Sequence, residues 1–412
     1  MQGFPEFALS STFFKWWGLD VQTGELKVVL QSGETLERHI ELDPALKSPN
    51  VSKAVYDWEN GLIGLITTRN HVVFFEPYDP KVLDPAFGRP IVYLDQNHWS
   101  TVAQVMADPS RVRKKSEIEA AQHLIRLAQD GGIILAVSSG HLRETSPMSG
   151  DRRYEVGLAI ANFSAGWQMR HPSRVWLDEH ITTLATRMGN EPPSSTRSQV
   201  FTLEPRAILG ESHRISEKAL SDLELFTLRL SSPQVLLEVL LDPSTRAGGD
   251  LRNWATSNQE TTDWIARTGW SKAQKRDAAF DRVWPADAFD GAAQELGVAC
   301  PSTDEIDRRE RKLMLKSQPY GRYMTELLIE RHTSSSTVWK PNDLIDLTYL
   351  CCAAGYADYV AAEAQTGTQL IQAQLRWGKP QTVHLSLESV VDALLGAGVT
   401  SATEREFRSG LK

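Results

Sequence analysis

The chain of 412 residues has only three cysteines, Cys300, Cys351 and Cys352. None are spaced as CxxC, which argues against a structural zinc site. Cys351 and Cys352 are adjacent in an apolar stretch, as expected of small core residues in a reducing compartment. No apolar run approaches the roughly 18 residues of a transmembrane helix. The N-terminal MQGFPEFALSSTFFKWWGLD lacks a basic n-region and a clean apolar centre, so it reads as mature protein. A cytoplasmic protein with no membrane partner is expected. The chain has no internal repeat, no low-complexity tract, no G-x-S-x-G, no Walker loop and no Ser-His-Asp pattern. Positive charge is in the minority: 44 Lys+Arg against 52 Asp+Glu give a formal net charge of −8. That excludes a histone-like binder, yet it leaves room for a nuclease, whose site must itself be acidic.

Apolar residues make up 41% of the chain, and there are 12 Trp, which suit core and interdomain packing. At roughly 150 residues per domain, the length suggests two or three domains. Residues 1–88 read as a β-rich N-terminal domain. The run LDVQTGELKVVLQSGETLERHIELD alternates with period two between TG and SG turns, and GLIGLITTRNHVVFFEPYD repeats the pattern around an RN turn. A small meander or barrel is expected there. Pro80, Pro85 and Pro90 mark a linker.

From Ile91 the pattern becomes α/β. IVYLD and IILAV read as buried strands, separated by a helix near Ser116–Asp130 that Gly131 and Gly132 stop. Ser138 and Ser139 offer N-caps for a helix through Arg143 and Glu144. Residues 150–337 contain few convincing strands and read as a helical insertion. The α/β pattern returns at 338–412: PNDLIDLTYLCCAAGYADYVAAE is helix then strand, and QTVHLSLESVVDALLGAG is a last strand and helix. The expected fold is α/β, a parallel-sheet core with a large helical insertion.

Five acids share one address in such a fold. Asp95 ends IVYL, Glu144 falls in the first turn of the helix after IILAV, Asp343 and Asp346 open the helix before YVAA, and Glu363 ends that strand. In an open parallel sheet these positions gather at the carboxyl edge, where ligands bind. Clustered carboxylates repel, and one must take a proton unless a cation intervenes. Mg²⁺ or Mn²⁺ favours such oxygen donors and can activate water toward a phosphodiester.

The segments VYLDQN, VSSGHLRET and NDLIDLTYLCCAAGYADYVAAE together resemble the PIN domain, a compact metal-dependent nuclease fold. The resemblance covers 91–149 and 338–400. It matches Asp95 with Asn97 to a first-strand DxN, Glu144 to a helix acid, and Asp343 or Asp346 to the acid before the fourth strand. The family often has T-x-D after that strand; here AAE supplies Glu363 and no Thr. The resemblance implies metal ligation by Asp95, Glu144, Asp346 and Glu363, an orienting role for Asn97, and cleavage of RNA more often than DNA. A toxin or phage-defence effector fits a decorated protein of this kind by analogy. A protein regulator or a homo-oligomer is compatible with it.

Each acid also has a plain structural role available. Asp95 can cap a helix, Glu144 can complete a capping box, Asn342 or Asp343 can cap the next helix, and Glu363 can be a surface turn acid. His98 and His141 lie near the acids in sequence and can touch phosphate or simply pack. The basic clusters RVRKK (111–115, with Lys114 and Lys115), Arg152-Arg153, and 308–331 with Arg322 can follow a phosphate backbone, with Tyr320 and Tyr323 stacking on bases. They equally suit solvated helix faces. Two other readings stand beside the nuclease: a non-catalytic PIN-like scaffold for RNA or protein, and a hydrolase of small phosphoesters.

Overall fold

The computed structural model describes residues 14–41, 48–57, 61–79, 82, 84–193, 199–209, 222–244, 249–299 and 306–400, with side chains in 222–231 left aside. Residues 1–13, Pro80 and Cys300 lie outside this set.

The first six strands are β1 (Phe14–Asp20), β2 (Glu25–Leu30), β3 (Thr35–His39), β4 (Val51–Asp57), β5 (Leu62–Thr67) and β6 (Val72–Phe75). They form one antiparallel sheet in the order β3-β2-β1-β4-β5-β6. This is an open sheet of two three-stranded meanders joined by the β1–β4 pairing, rather than one meander or a barrel. The TG turn works as read. Gly24 has φ +79°, and a Cβ there would lie 2.2 Å from the Ile40 carbonyl oxygen, so only glycine fits. At the RN turn, Asn70 takes φ +63°, which Asn tolerates.

The second sheet is parallel. It comprises β7 (Ile91–Leu94), β8 (Ile134–Leu135), β11 (Tyr359–Ala361) and β12 (Val383–His384), in the order β12-β11-β7-β8. Between β7 and β8 run α1 (Gln96–Ala107) and α2 (Lys115–Gln129); α3 (Ser139–Thr145) follows β8. Then come α4 (Gly150–Ser164), β9 (Gln168–Met169), α5 (Pro172–Arg187) and β10 (Phe201–Thr202). Next are α6 (Asp222–Leu241), α7 (Arg252–Arg267), α8 (Lys272–Val283), α9 (Ala286–Leu296), α10 (Arg308–Lys316) and α11 (Pro319–Thr333). The last described elements are α12 (Asp343–Tyr356) before β11, α13 (Ala364–Arg376) before β12, and α14 (Leu387–Gly396).

Alternation along β7 explains the two layers. Val92 and Leu94 point into one core with Trp99, Leu124 and Val390. Tyr93 points into the other with Val360, Leu347, Cys351 and Leu370. Strands covered on both faces read as continuous apolar runs, as IVYL and IILAV do. Cys351 and Cys352 are fully buried free thiols.

The antiparallel sheet is not isolated from this core. Trp17, Ile63, Leu65, Val73 and Phe75 belong to the same apolar cluster as Val92 and Trp99. The Thr67 and Tyr154 hydroxyls, on β5 and α4, lie 2.9 Å apart.

The segment read as a mostly helical insertion contains two short strands. β9 pairs antiparallel with β10, and Val137 bridges Gln168 in parallel, extending the parallel sheet past β8. Met169 donates its amide to the Val137 carbonyl at 2.7 Å. Two-residue strands leave no period-two signal to read. Helix α4 also packs against α1.

Candidate functional site: a carboxylate cluster at the sheet edge

Asp95 is the residue after β7 and the N-cap of α1. Its Oδ1 accepts the Gln96 amide at 2.8 Å, and its Oδ2 accepts the Glu363 amide at 3.3 Å. Both oxygens are therefore fixed by backbone. Burial nonetheless raises its proton affinity, against those two hydrogen bonds. Glu363 follows β11 and opens α13 as its N-cap, without making a side-chain cap bond. Its Oε2 accepts from Asn97 Nδ2 at 3.1 Å. β7 and β11 are adjacent and parallel, so these two acids flank the point where the sheet connections diverge in opposite directions.

Glu144 comes from α3 on the other side. It sits in the last turn of this seven-residue helix, not the first; no acid occupies the first turn. The capping box is formed instead by Ser138 and His141, so the helix dipole opposes a Glu144 charge rather than favouring it. Burial, then the charges of Asp95, Asp346 and Glu363, push Glu144 up to about 8.

Of the two acids on α12, Asp346 faces the cluster. Burial, then Asp95, Glu363 and Asp343, raise it to about 7, while Arg331 pulls the other way. Asp343 is already engaged. Its Oδ2 lies 3.3 Å from Arg331 Nη1 and accepts the Lys340 amide at 2.9 Å. Asn342, the N-cap position, makes no side-chain cap bond. Asp343 is thus held by Arg331 and by the backbone at the start of α12, one turn from Asp346, and its charge still reaches Glu363.

His141 is a structural residue. It is fully enclosed and stacks on Tyr93 with centroids 5.0 Å apart. Its Nδ1 accepts the Ser138 amide at 3.0 Å, and Nε2 donates to the Leu94 carbonyl at 2.7 Å. Burial lowers it to about 4, so it is neutral. His98 feels the charge of Glu363: burial lowers its proton affinity, while a hydrogen bond with the Ala362 backbone and the charges of Glu117 and Glu363 oppose that.

The basic residues separate. Arg153 is buried at 1% exposure, so it is not a nucleic-acid contact. It donates to the carbonyls of Leu240, Ser146 and Val239 at 2.8–3.2 Å, tying α4 to the end of α6. Tyr320 and Tyr323 are each 1% exposed, which removes them as stacking platforms. Arg152 is exposed, and exposed Lys114 and Lys115 pair with Glu117 and Glu119. Arg322 lies over Trp377, away from the acids along α11.

One buried acid was not singled out from the sequence. Glu179 on α5 accepts the Tyr320 and Gly321 amides at 2.7 and 2.8 Å and the Tyr356 hydroxyl at 2.7 Å. It caps α11 and fastens α5 to α12, and burial raises it to about 7. Only the approach of three helices distinguishes it from a surface acid.

The site's donors are all hard oxygens, the chemistry Mg²⁺ or Mn²⁺ prefers. As placed, no three His, Cys, Asp or Glu side chains among the described residues are gathered closely enough to hold a metal ion. No family model, curated protein or solved structure matches the chain. No described helix is long and apolar enough to cross a membrane.

Proposed function

We propose that the chain is a metal-dependent endonuclease with a PIN-like core, acting on RNA in preference to DNA. One observation carries this reading. Four acids from four separate segments lie at or near the carboxyl edge of one parallel sheet, and each of Glu144 and Asp346 feels the charge of Asp95 and Glu363. Arg331, the cation that acts on Asp346, is paired with Asp343. Four such acids without a dedicated counter-charge suit an added divalent cation.

Asp95, Glu144, Asp346 and Glu363 are the residues that would hold it. Mg²⁺ or Mn²⁺ bound there supplies Lewis acidity and a water activated for attack on phosphorus. Asp95, fixed by two amides, presents its carboxylate in one orientation. Asn97 orients Glu363. Glu144 and Asp346 hold protons near neutral pH and release them when positive charge arrives. Hydrolysis then leaves a 3′-hydroxyl and a 5′-phosphate, and an effector attacking cellular or invading RNA fits this reading.

The test is incubation of the purified chain with single-stranded RNA and DNA of one sequence in Mn²⁺, with end mapping. Internal cuts in RNA bearing 5′-phosphates, abolished by chelation, are expected. No cleavage of either strand sinks the reading. The second reading is a non-catalytic PIN-like scaffold binding RNA or protein. The present spacing of the carboxylates favours it. It predicts binding without cleavage and no dependence on Asp95.

A further inference from the structure

Helix α13 starts directly after Glu363 and runs 13 residues, about 20 Å at 1.5 Å per residue. At its far end Trp377 borders a cleft of about 280 Å³ between α8, α10 and α11. Arg276, Lys312, Lys316 and Arg322 line it, against a single acid, Glu326. That acid is already shared by Arg276 at 2.7 Å and Arg376 at 3.1 Å. Lys312 is paired with Asp277 at 2.8 Å. Lys316 and Arg322 make no ion pair among the described residues.

Arg322 is nevertheless held in place. Its guanidinium carbon lies 3.8 Å from the Trp377 ring centroid, a cation–π stack that fixes the fork and leaves its donors free. Lys379 approaches the same ring at 5.8 Å, adding charge of the same sign. An independent observation comes from Thr325, one turn along α11 from Arg322. It lines the cleft, is 5% exposed, and its buried hydroxyl has no hydrogen-bond partner. A buried hydroxyl left unsatisfied costs free energy, and its position beside surplus cations marks a place for an acceptor.

We propose that this cleft binds a phosphate ester, with Lys316 and Arg322 taking the phosphate oxygens and Thr325 donating its hydroxyl. Three donors arriving from a lysine, a planar fork and a hydroxyl suit a tetrahedral group with several oxygens better than a two-oxygen carboxylate. A free nucleotide and an RNA strand share this chemistry. The site stands apart from the carboxylates, and its existence does not depend on the nuclease reading.

Isothermal titration of the full chain in EDTA, where no metal-dependent cleavage occurs, tests the proposal. The probes are inorganic phosphate, a nucleoside 5′-monophosphate and a short single-stranded oligoribonucleotide. At least one binds. Lys316→Glu with Arg322→Gln weakens binding tenfold or more, and Thr325→Val weakens it about fivefold, the worth of one hydrogen bond. Binding of the mononucleotide assigns a free nucleotide as the source, and binding of the oligonucleotide alone assigns the strand. No binding by all three probes, or unchanged binding in the Lys316/Arg322 variant, overturns the proposal, whatever the outcome of cleavage assays.

Discussion

Asp95 and Glu363, 268 positions apart in the chain, are joined at the sheet edge by a hydrogen bond from the Glu363 amide to Asp95 Oδ2 at 3.3 Å. The contact ties β7 to the start of α13 after β11, and the Asp95 charge reaches the Glu363 carboxyl. Asn97, two residues past Asp95, reaches back to the Glu363 side chain. Asn97→Ala is therefore expected to free the Glu363 carboxylate without disturbing the sheet. An activity loss of about 10–100-fold is expected, typical of removing a partner that orients a ligand. Cleavage rates and thermal melting measured together check this: a fall in stability with unchanged activity would reverse the assignment.

Stability should fall as pH rises through neutrality. Glu144 and Asp346 sit at about 8 and about 7 in the fold, above their ordinary values of 4.5 and 3.8. At these two acids the folded chain thus holds protons that the unfolded one has lost between roughly pH 4 and 8. Their contribution is full below their unfolded values and is lost as pH climbs through 7 and 8. Melting temperatures across pH 7–8.5, above the range in which the buried His141, His180 and His332 act in the opposite sense, should decline, and less steeply in Asp346→Asn. Mg²⁺ should raise the melting temperature more at pH 8 than at pH 5. A pH-independent melting temperature in both proteins would contradict the mutual repulsion of these acids.

Gly140 sets the distance between the helices that carry Glu144 and Asp346. A Cβ at Gly140 would stand 2.7 Å from the Tyr349 ring of α12, and Ser139 Oγ already lies 2.8 Å from Tyr349 Oη. Gly140→Ala must push α3 from α12. Overpacking of this kind costs about 1–3 kcal/mol. Denaturant unfolding should show that loss, and divalent-cation affinity should drop as well. Wild-type values for both would show that the α3–α12 contact yields freely.

Arg153→Ala should act on folding alone. Removing this buried guanidinium leaves three carbonyls unpaired, a loss of about 3 kcal/mol or more. Filter binding of RNA at a temperature where the variant stays folded should match wild type. A selective loss of RNA affinity with normal stability would return Arg153 to the nucleic-acid contacts.

The main layers of the fold were legible because they follow from local pattern. Period-two runs with TG and RN turns marked the antiparallel sheet, and IVYL, IILAV and YVAA marked parallel strands buried on both faces. The acids at the strand ends were legible for the same reason, since Asp95 directly follows β7 and Glu363 comes two residues after β11. Finer placement depended on lengths and faces that sequence does not display. α3 is only seven residues long, so Glu144 falls in its last turn. Arg152 and Arg153 are neighbours with opposite fates, one exposed and one enclosed by α6. Asp343 and Asp346 both open α12, and only the position of Arg331 on α11 separates them. β9 and β10 are too short to carry a pattern, and Glu179 is buried by helices distant in sequence.

The most direct measurement is RNA cleavage in Mn²⁺ by the wild-type chain beside Asp95→Asn and Asp346→Asn, each confirmed as folded. Internal cleavage by wild type, no cleavage in EDTA, and a loss exceeding about 100-fold in both variants are expected. Equal cleavage by all three proteins, or none by the wild type, would contradict the nuclease reading.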